Sequence, residues 1–199
     1  MRFSKNRFRV VAVVAVAVLL VAGWLAFVRD NKSATPTSGQ TSGQAQTTTP
    51  SSASSQTYVE TADFKYSKPV GWAKISQKTL DSTGAASGIG RPTEPVASFL
   101  INISDSIPKN NDELKNSVLS PPKNHRDFEL ILSESVKIDG HAGQKFAYSY
   151  TDSTGNKITQ QESVVVYKQK AFILLFSTTA DYNKQAGDFN NILASFKFK

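Results

Sequence analysis

Residues Val10–Val28 form an uncharged run of 19 residues bracketed by Arg9 and Arg29. That run splits the chain into parts that must fold in different solvents. As a helix it would measure roughly 28 Å, close to the ~30 Å hydrocarbon core of a bilayer. A helix satisfies its own backbone hydrogen bonds in lipid, and burial there outweighs the small propensity cost of the many valines. Trp24 and Phe27 lie near the C-terminal end, where aromatics favour the interface. The sequence therefore predicts one transmembrane signal anchor over residues 10–28.

Arg2, Lys5, Arg7 and Arg9 precede the run; only Arg29 and Lys32 closely follow it, with Asp30 between them. This bias predicts a cytoplasmic basic tail over residues 1–9 and places everything after Arg29 outside the cell membrane. The competing reading is a cleaved signal peptide with Val21-Ala22-Gly23 as the cleavage pattern, but the run exceeds the about 7–15 apolar residues of a signal core.

Residues 29–57 read as a disordered linker. From Asn31 to Thr57 there is no Val, Ile, Leu or aromatic residue, and TSGQ occurs twice in tandem at residues 37–44. Such a segment cannot bury enough apolar area to offset its ordering entropy. As a coil of about 27 residues it would span roughly 30 Å. Its Ser/Thr/Pro content also suits O-glycosylation, although a plain spacer suffices.

The formal charge of +7 comes from 23 Lys+Arg against 16 Asp+Glu. Five of those basic residues precede residue 30, which leaves 18 against 16 beyond the anchor. No Arg-rich run with interleaved aromatics occurs there, so nucleic acid is not an expected partner. The chain has no cysteine. Disulfides, thiol nucleophiles, Cys-ligated zinc and a lipidated cysteine are all excluded.

Residues 58–199 are enough for one globular domain. Phe64-Lys65-Tyr66, a turn at Pro69-Val70-Gly71, then Trp72 and Ile75 predict a first hairpin. Val96–Ser104 reads as a strand. Asn111–Leu119 reads as a short helix, with Asn111 as N-cap and Pro121-Pro122 as its stop. A meander follows over Phe128–Ile138, Gln144–Thr151, Ile158–Tyr167 and Ala171–Thr178. Its turns fall at Asp139-Gly140, at Asp152–Asn156 and in the lysine-rich Tyr167–Ala171 stretch. The last element is a helix capped by Asp181. Tyr182, Ala186, Phe189, Leu193 and Phe196, widened by Ile192, form a stripe that must pack on the sheet.

These elements make an α+β domain, and four segments resemble a known family. They are Pro69-Val70-Gly71-Trp72 after an early strand, Ile138-Asp139-Gly140-His141-Ala142, Ala171–Phe176, and the terminal Tyr182…Phe189…Ile192-Leu193…Ser195-Phe196. Together they resemble the PsbP-like fold, shared by photosystem oxygen-evolving extrinsic subunits and bacterial DcrB-like envelope lipoproteins. The resemblance implies a central antiparallel sheet sandwiched by helices, and it carries no shared catalytic motif. This chain departs from the lipoproteins in its anchor, which is Val10–Val28 in place of a lipid-bearing cysteine.

Several motifs invite other readings. Residues 83–90 spell TGAASGIG, the nucleotide-binding glycine pattern of short-chain dehydrogenases. That chemistry needs a strand before the glycines and a helix N-terminus after them. The flanks Ser76–Ser82 and Arg91-Pro92…Glu94-Pro95 fit neither, and no Tyr-x-x-x-Lys pair exists. The stretch Thr79–Pro95 therefore reads as a flexible surface loop, and such loops are where ligand contacts concentrate. Ser106-Ile107-Pro108-Lys109 and Ser120-Pro121-Pro122-Lys123 match Ser-x-x-Lys, but their prolines oppose helical presentation. His125 with Asp127 and Glu129 could face one side of a strand as an oxygen-rich metal site, although a solvated edge of mixed charge is the preferred reading. His141 follows a turn glycine and reads as exposed. Tyr148, Tyr150 and Trp72 could stack on a sugar or quinone, but alternate aromatics more often form core. The sequons Asn31-Lys32-Ser33 and Asn102-Ile103-Ser104 matter only in a glycosylating host, and the second falls in a strand.

No convergent catalytic set, metal ligand set or cofactor motif emerges. The expected function is a membrane-tethered extracytoplasmic binding or accessory module of the cell envelope that meets an envelope protein or component. The alternatives are an extracytoplasmic hydrolase using His125 or His141, and a small-molecule or metal carrier using the 79–95 region.

Overall fold

A computed structural model describes residues 57–120 and 122–199. The basic tail, the apolar run, the first sequon and the linker up to residue 56 lie outside the described residues. Ten strands and three α-helices follow in order: β1 (Thr57–Glu60), β2 (Phe64–Lys68), β3 (Ala73–Lys74), α1 (Gln77–Thr83), β4 (Ser87–Arg91), β5 (Ala97–Ser104), α2 (Asn111–Leu119), β6 (Arg126–Ile138), β7 (His141–Thr151), β8 (Lys157–Tyr167), β9 (Lys170–Thr178), α3 (Tyr182–Ser195) and β10 (Lys197–Phe198). A 3-10 turn at Pro122–Asn124 precedes β6. Among the described residues, no helix is long and apolar enough to cross a membrane.

Seven strands form one antiparallel sheet in the order β3-β4-β5-β9-β8-β7-β6, and β1-β2-β10 form a second, smaller sheet. The meander β6–β9 follows its expected turns. Asp139 and Gly140 both take positive φ, as do Lys168 and Gln169. These are two-residue connections whose twist matches the strands they join.

The second sheet departs from the sequence expectation. The Pro69–Gly71 turn forms, with Trp72 N donating to Pro69 O at 3.2 Å, but β2 and β3 do not pair. β2 pairs with β1 and β10, whereas β3 pairs with β4. The turn carries the chain from one layer to the other because Phe64 and Tyr66 stack on Phe196 beyond the last helix. The N-cap of α2 is Asn110, one residue earlier than expected: its Oδ1 accepts from Glu113 N at 2.8 Å, and Lys109 N donates back to Glu113 Oε2. The pair is a variant of the capping box, since the N–H that Glu113 accepts from belongs to the residue before the N-cap. Asp181 occupies the N-cap of α3, but its side chain makes no capping hydrogen bond.

Strand alternation builds a core on each face of the large sheet. Phe99, Ile101, Phe172, Leu174 and Phe176 face the small sheet and α3, and Phe189 of α3 meets Phe99 and Phe176. Arg91 fastens α3 to the end of β4: it donates to Gln185 Oε1 at 2.7 Å and pairs with Asp188 at 3.3 Å. The opposite face carries two separate apolar patches. Leu80 of α1 packs with Ala85, Leu100 and Leu175; Leu114, Val118 and Leu119 of α2 pack with Phe146, Tyr148, Tyr150 and Val164.

Gly143 is needed for the close approach of β7 and β8, because a Cβ built there would overlap the Val164 carbonyl oxygen. We expect Gly143→Ala to cost about 2 kcal/mol, the order seen for overpacking. The midpoint of urea unfolding checks this, and an unchanged midpoint would refute it.

Candidate functional site

A strand with one face on a core normally alternates apolar and polar residues. β8 breaks that rule at its centre. Thr159, Gln160, Gln161, Glu162 and Ser163 are five consecutive polar residues, and each is at most 4% exposed. Ile158 and Val164 frame them, and β7 and β9 pair with the strand on both sides. Five unpartnered buried polar atoms belong to these residues: Gln160 Oε1, both amide atoms of Gln161, Glu162 Oε1 and Ser163 Oγ. Native interiors hold few such groups, because each forfeits its hydration without recovering a hydrogen bond.

Gln160 and Glu162 point to the face covered by α1 and α2. Gln160 Nε2 donates to Ser177 Oγ at 2.8 Å. The Tyr148 hydroxyl donates to Glu162 Oε2 at the long distance of 3.4 Å. Burial raises the Glu162 carboxyl to about 8, with the Tyr148 contact pulling the other way. The same burial drives the Tyr148 hydroxyl well above its ordinary range. Asn102, on β5 of this face, is also buried with an unpartnered Oδ1. The site is thus acceptor-rich, and at neutral pH its one carboxyl holds a proton.

The stretch Thr79–Pro95 is not a surface loop. It contains most of α1 and all of β4, and Gly88, Ile89 and Gly90 are buried. Gly84 caps α1 with φ 67. Helix, turn and strand therefore occur in the reverse of the order a dinucleotide site requires. Gly88 serves packing instead: a Cβ there would lie 2.7 Å from Leu100 Cδ2 and 3.0 Å from Ile75 Cδ1. From this stretch Glu94 and Pro95 line an open hollow of about 470 Å³, shared with Asn156, Lys157 and Thr179. A second groove, about 400 Å³, runs between the start of α2 and the β7–β8 strands, lined by Pro108, Leu114, Val164 and Val166 among others.

His125, Asp127 and Glu129 are not brought to one side. The β6–β7 register shifts between Arg126 and Glu129, and Asp127 takes φ 54 and accepts from Thr151 Oγ1 at 2.7 Å. His125 stacks on Tyr150 at 4.6 Å. Among the described residues, no group of three or more His, Cys, Asp or Glu is placed to hold a metal ion. His141 is half-buried against Tyr167 and Phe198, because β10 folds back over the hairpin turn. Ser106–Lys109 lies outside helices, and Lys123 lies in the 3-10 turn. Tyr148, Tyr150 and Trp72 are core, and Asn102 is buried within β5, out of reach of glycosylation.

The polar block of β8 was missed in the sequence because a polar run inside a meander reads as a solvated face. The available signal was its length: five residues occupy both faces of a strand, and in an interior strand neither face is solvent.

Among curated proteins, none matches this sequence. Solved structures share the fold at low identity. Cyanobacterial PsbP (CyanoP) from Synechocystis sp. PCC 6803 is 18% identical, with a TM-score of 0.53 over 79% of this chain and 100% of its own. LpqN of Mycobacterium tuberculosis, described as involved in cell envelope biogenesis, is 13% identical, with a TM-score of 0.50 over 74% of this chain and 87% of its own. The profile of the PsbP-like protein family matches residues 10–198. With antiparallel sheets and three α-helices among the described residues, and a match over nearly its whole length, this chain belongs to the PsbP-like protein family.

Proposed function

We propose that this chain is a membrane-tethered extracytoplasmic module of the cell envelope that acts by binding an envelope protein or component, without catalysis of its own. The observation that carries this reading is where the family match begins. It starts at residue 10, the first residue of the apolar run, so the profile takes in the run together with the domain. The four cationic residues before the run support a cytoplasmic N-terminus. The likeness to LpqN, whose description places it in envelope biogenesis, supports the compartment. The non-catalytic part rests on the histidines: His125 stacks on Tyr150, and His141 packs edge-on against both Tyr167 and Phe198.

The test uses the full chain in a bacterial host. It should stay in the membrane pellet through an alkaline carbonate wash, and protease added to spheroplasts should digest the domain. A chain lacking residues 10–28 should be released, and detergent pull-down of the full chain should recover an envelope partner. Extraction by carbonate, or a domain shielded from external protease, would sink the reading.

A further inference from the structure

Glu162 sits where the two covers of one sheet face meet. Across β9 its direct neighbour is Leu175, which belongs to the patch held by α1; across β7 it is Phe146, which belongs to the patch held by α2. We propose that Glu162 is a proton-operated latch, holding α1 and α2 on the sheet while protonated and releasing them when the proton leaves. This goes beyond the proposed function, since it concerns how the domain opens and not what it binds.

The surroundings make the two protonation states unequal. Glu162 is 1% exposed, its Oε2 has only the long contact with the Tyr148 hydroxyl, and its Oε1 has no partner. A carboxylic acid suits that environment better, because its O–H is a donor, and Gln160, two residues away on the same strand face, keeps an unpartnered acceptor in its Oε1. A carboxylate cannot, since it would add one more acceptor and an uncompensated charge.

The facing groups offer no cation. On the face of β7 that meets Glu162 the titratable residues are Tyr148 and Tyr150; Lys145, paired with Glu134, and His141, against Tyr167 and Phe198, alternate to the opposite face. His125 stacks on Tyr150, and Asp152 follows the strand with its Oδ1 taken by Thr154 and Asn156. β9 presents Ile173, Leu175 and Ser177, and β5 presents Leu100 and Asn102. The charged residues of α1 (Lys78, Asp81) and of α2 (Asp112, Glu113, Lys115) are all exposed. A charge on Glu162 therefore gains stability only by reaching water.

The covers are the parts that can yield. α1 is seven residues long, and its patch consists of Leu80 with Ile75 and Ala85 on Leu100 and Leu175. α2 contributes three buried residues. Beneath them the sheet is paired on both sides of β8. Segments with few apolar contacts open at lower free energy than paired core strands, so ionisation should lift the helices before it breaks the sheet. The loss of the proton is raised into the mildly alkaline range by burial, which sets the window for the test.

Amide hydrogen exchange on the full chain, corrected for intrinsic rates, should show protection of α1 and α2 falling at least tenfold between pH 6 and pH 9.5, with β8 and β9 unchanged. Glu162→Gln should leave both helices protected at both pH values. The side-chain carboxyl of Glu162, followed by carbon-detected NMR in the unmutated chain, should titrate in the same range as the helices open. Uniform loss of protection across all elements, the same loss in Glu162→Gln, or a Glu162 carboxyl titrating in the ordinary range would each overturn the latch.

Discussion

Glu162→Gln should raise the stability of the folded protein at pH 7.5 by roughly 3 kcal/mol and remove the decline in stability between about pH 5 and pH 8. The reason is a difference between two states. In the unfolded chain a glutamate gives up its proton in the ordinary carboxylate range, near 4.5; in the folded chain burial holds the proton until about 8. Below the unfolded value both states are protonated, and the stability is fully present. As pH rises toward 8 the unfolded state alone releases its proton, so unfolding becomes easier by about 1.4 kcal/mol per pH unit. Glutamine is nearly isosteric and neutral throughout, and it brings N–H donors to a seam whose free groups are acceptors. The check is chemical unfolding of both proteins at pH 5, 6, 7 and 8. If Glu162→Gln is no more stable at pH 7.5, or shows the same slope, the carboxyl is not held neutral by its burial.

Phe196→Ala should cost about 4 kcal/mol, within the range for deleting a fully buried aromatic ring. Phe196 follows the last residue of α3 and is completely buried. Its ring stacks on Phe64 at 5.4 Å, lies 6.3 Å from Tyr66 and meets Phe198 edge-on at 5.0 Å. One side chain thus joins the end of α3 to β2 and β10, and its loss leaves a void beside three rings that cannot close over it. Phe196→Leu keeps most of the apolar volume and should lose less than half as much. Urea unfolding of both variants supplies the comparison. A loss under about 1 kcal/mol in Phe196→Ala would show that the small sheet is held by other contacts.

Where local rules act alone, the sequence predicted structure well. The turns at Asp139-Gly140 and Lys168-Gln169 need positive φ within two residues, and the strands they join followed in register. The stripe Phe189, Ile192, Leu193 and Phe196 announced a helix packed on a sheet, and the alternation of Phe146, Tyr148 and Tyr150 announced one buried strand face. Errors arose where a long-range partner decided the outcome. Phe64–Tyr66 and Trp72–Ile75 flank a good turn, yet β2 joins β10 from the far end of the chain. The glycines of 83–90 read as a loop, but Gly88 is the space into which Leu100 and Ile75 pack. His125, Asp127 and Glu129 lost their common side to a bulge, which no alternation pattern displays.

The candidate site was the least legible part. Thr159–Ser163 carries no motif, and polarity alone would place it in water. Only the seven-strand order, with β8 paired on both sides, turns those polar groups into buried ones and Glu162 into an acid.

Four short segments carried the resemblance to the family, and the amino-acid order by itself determined the thiol-free core and the meander with its turns. These depend on composition, on periodicity and on backbone preferences within a few residues. The tertiary structure alone decided that β2 and β3 lie in different sheets, that the histidines end against aromatic rings, and that a glutamate lies at the junction of two helical covers. Burial and charge state belong to neighbours far apart in the chain, and their effect on a side chain exists only once the strands have been brought together.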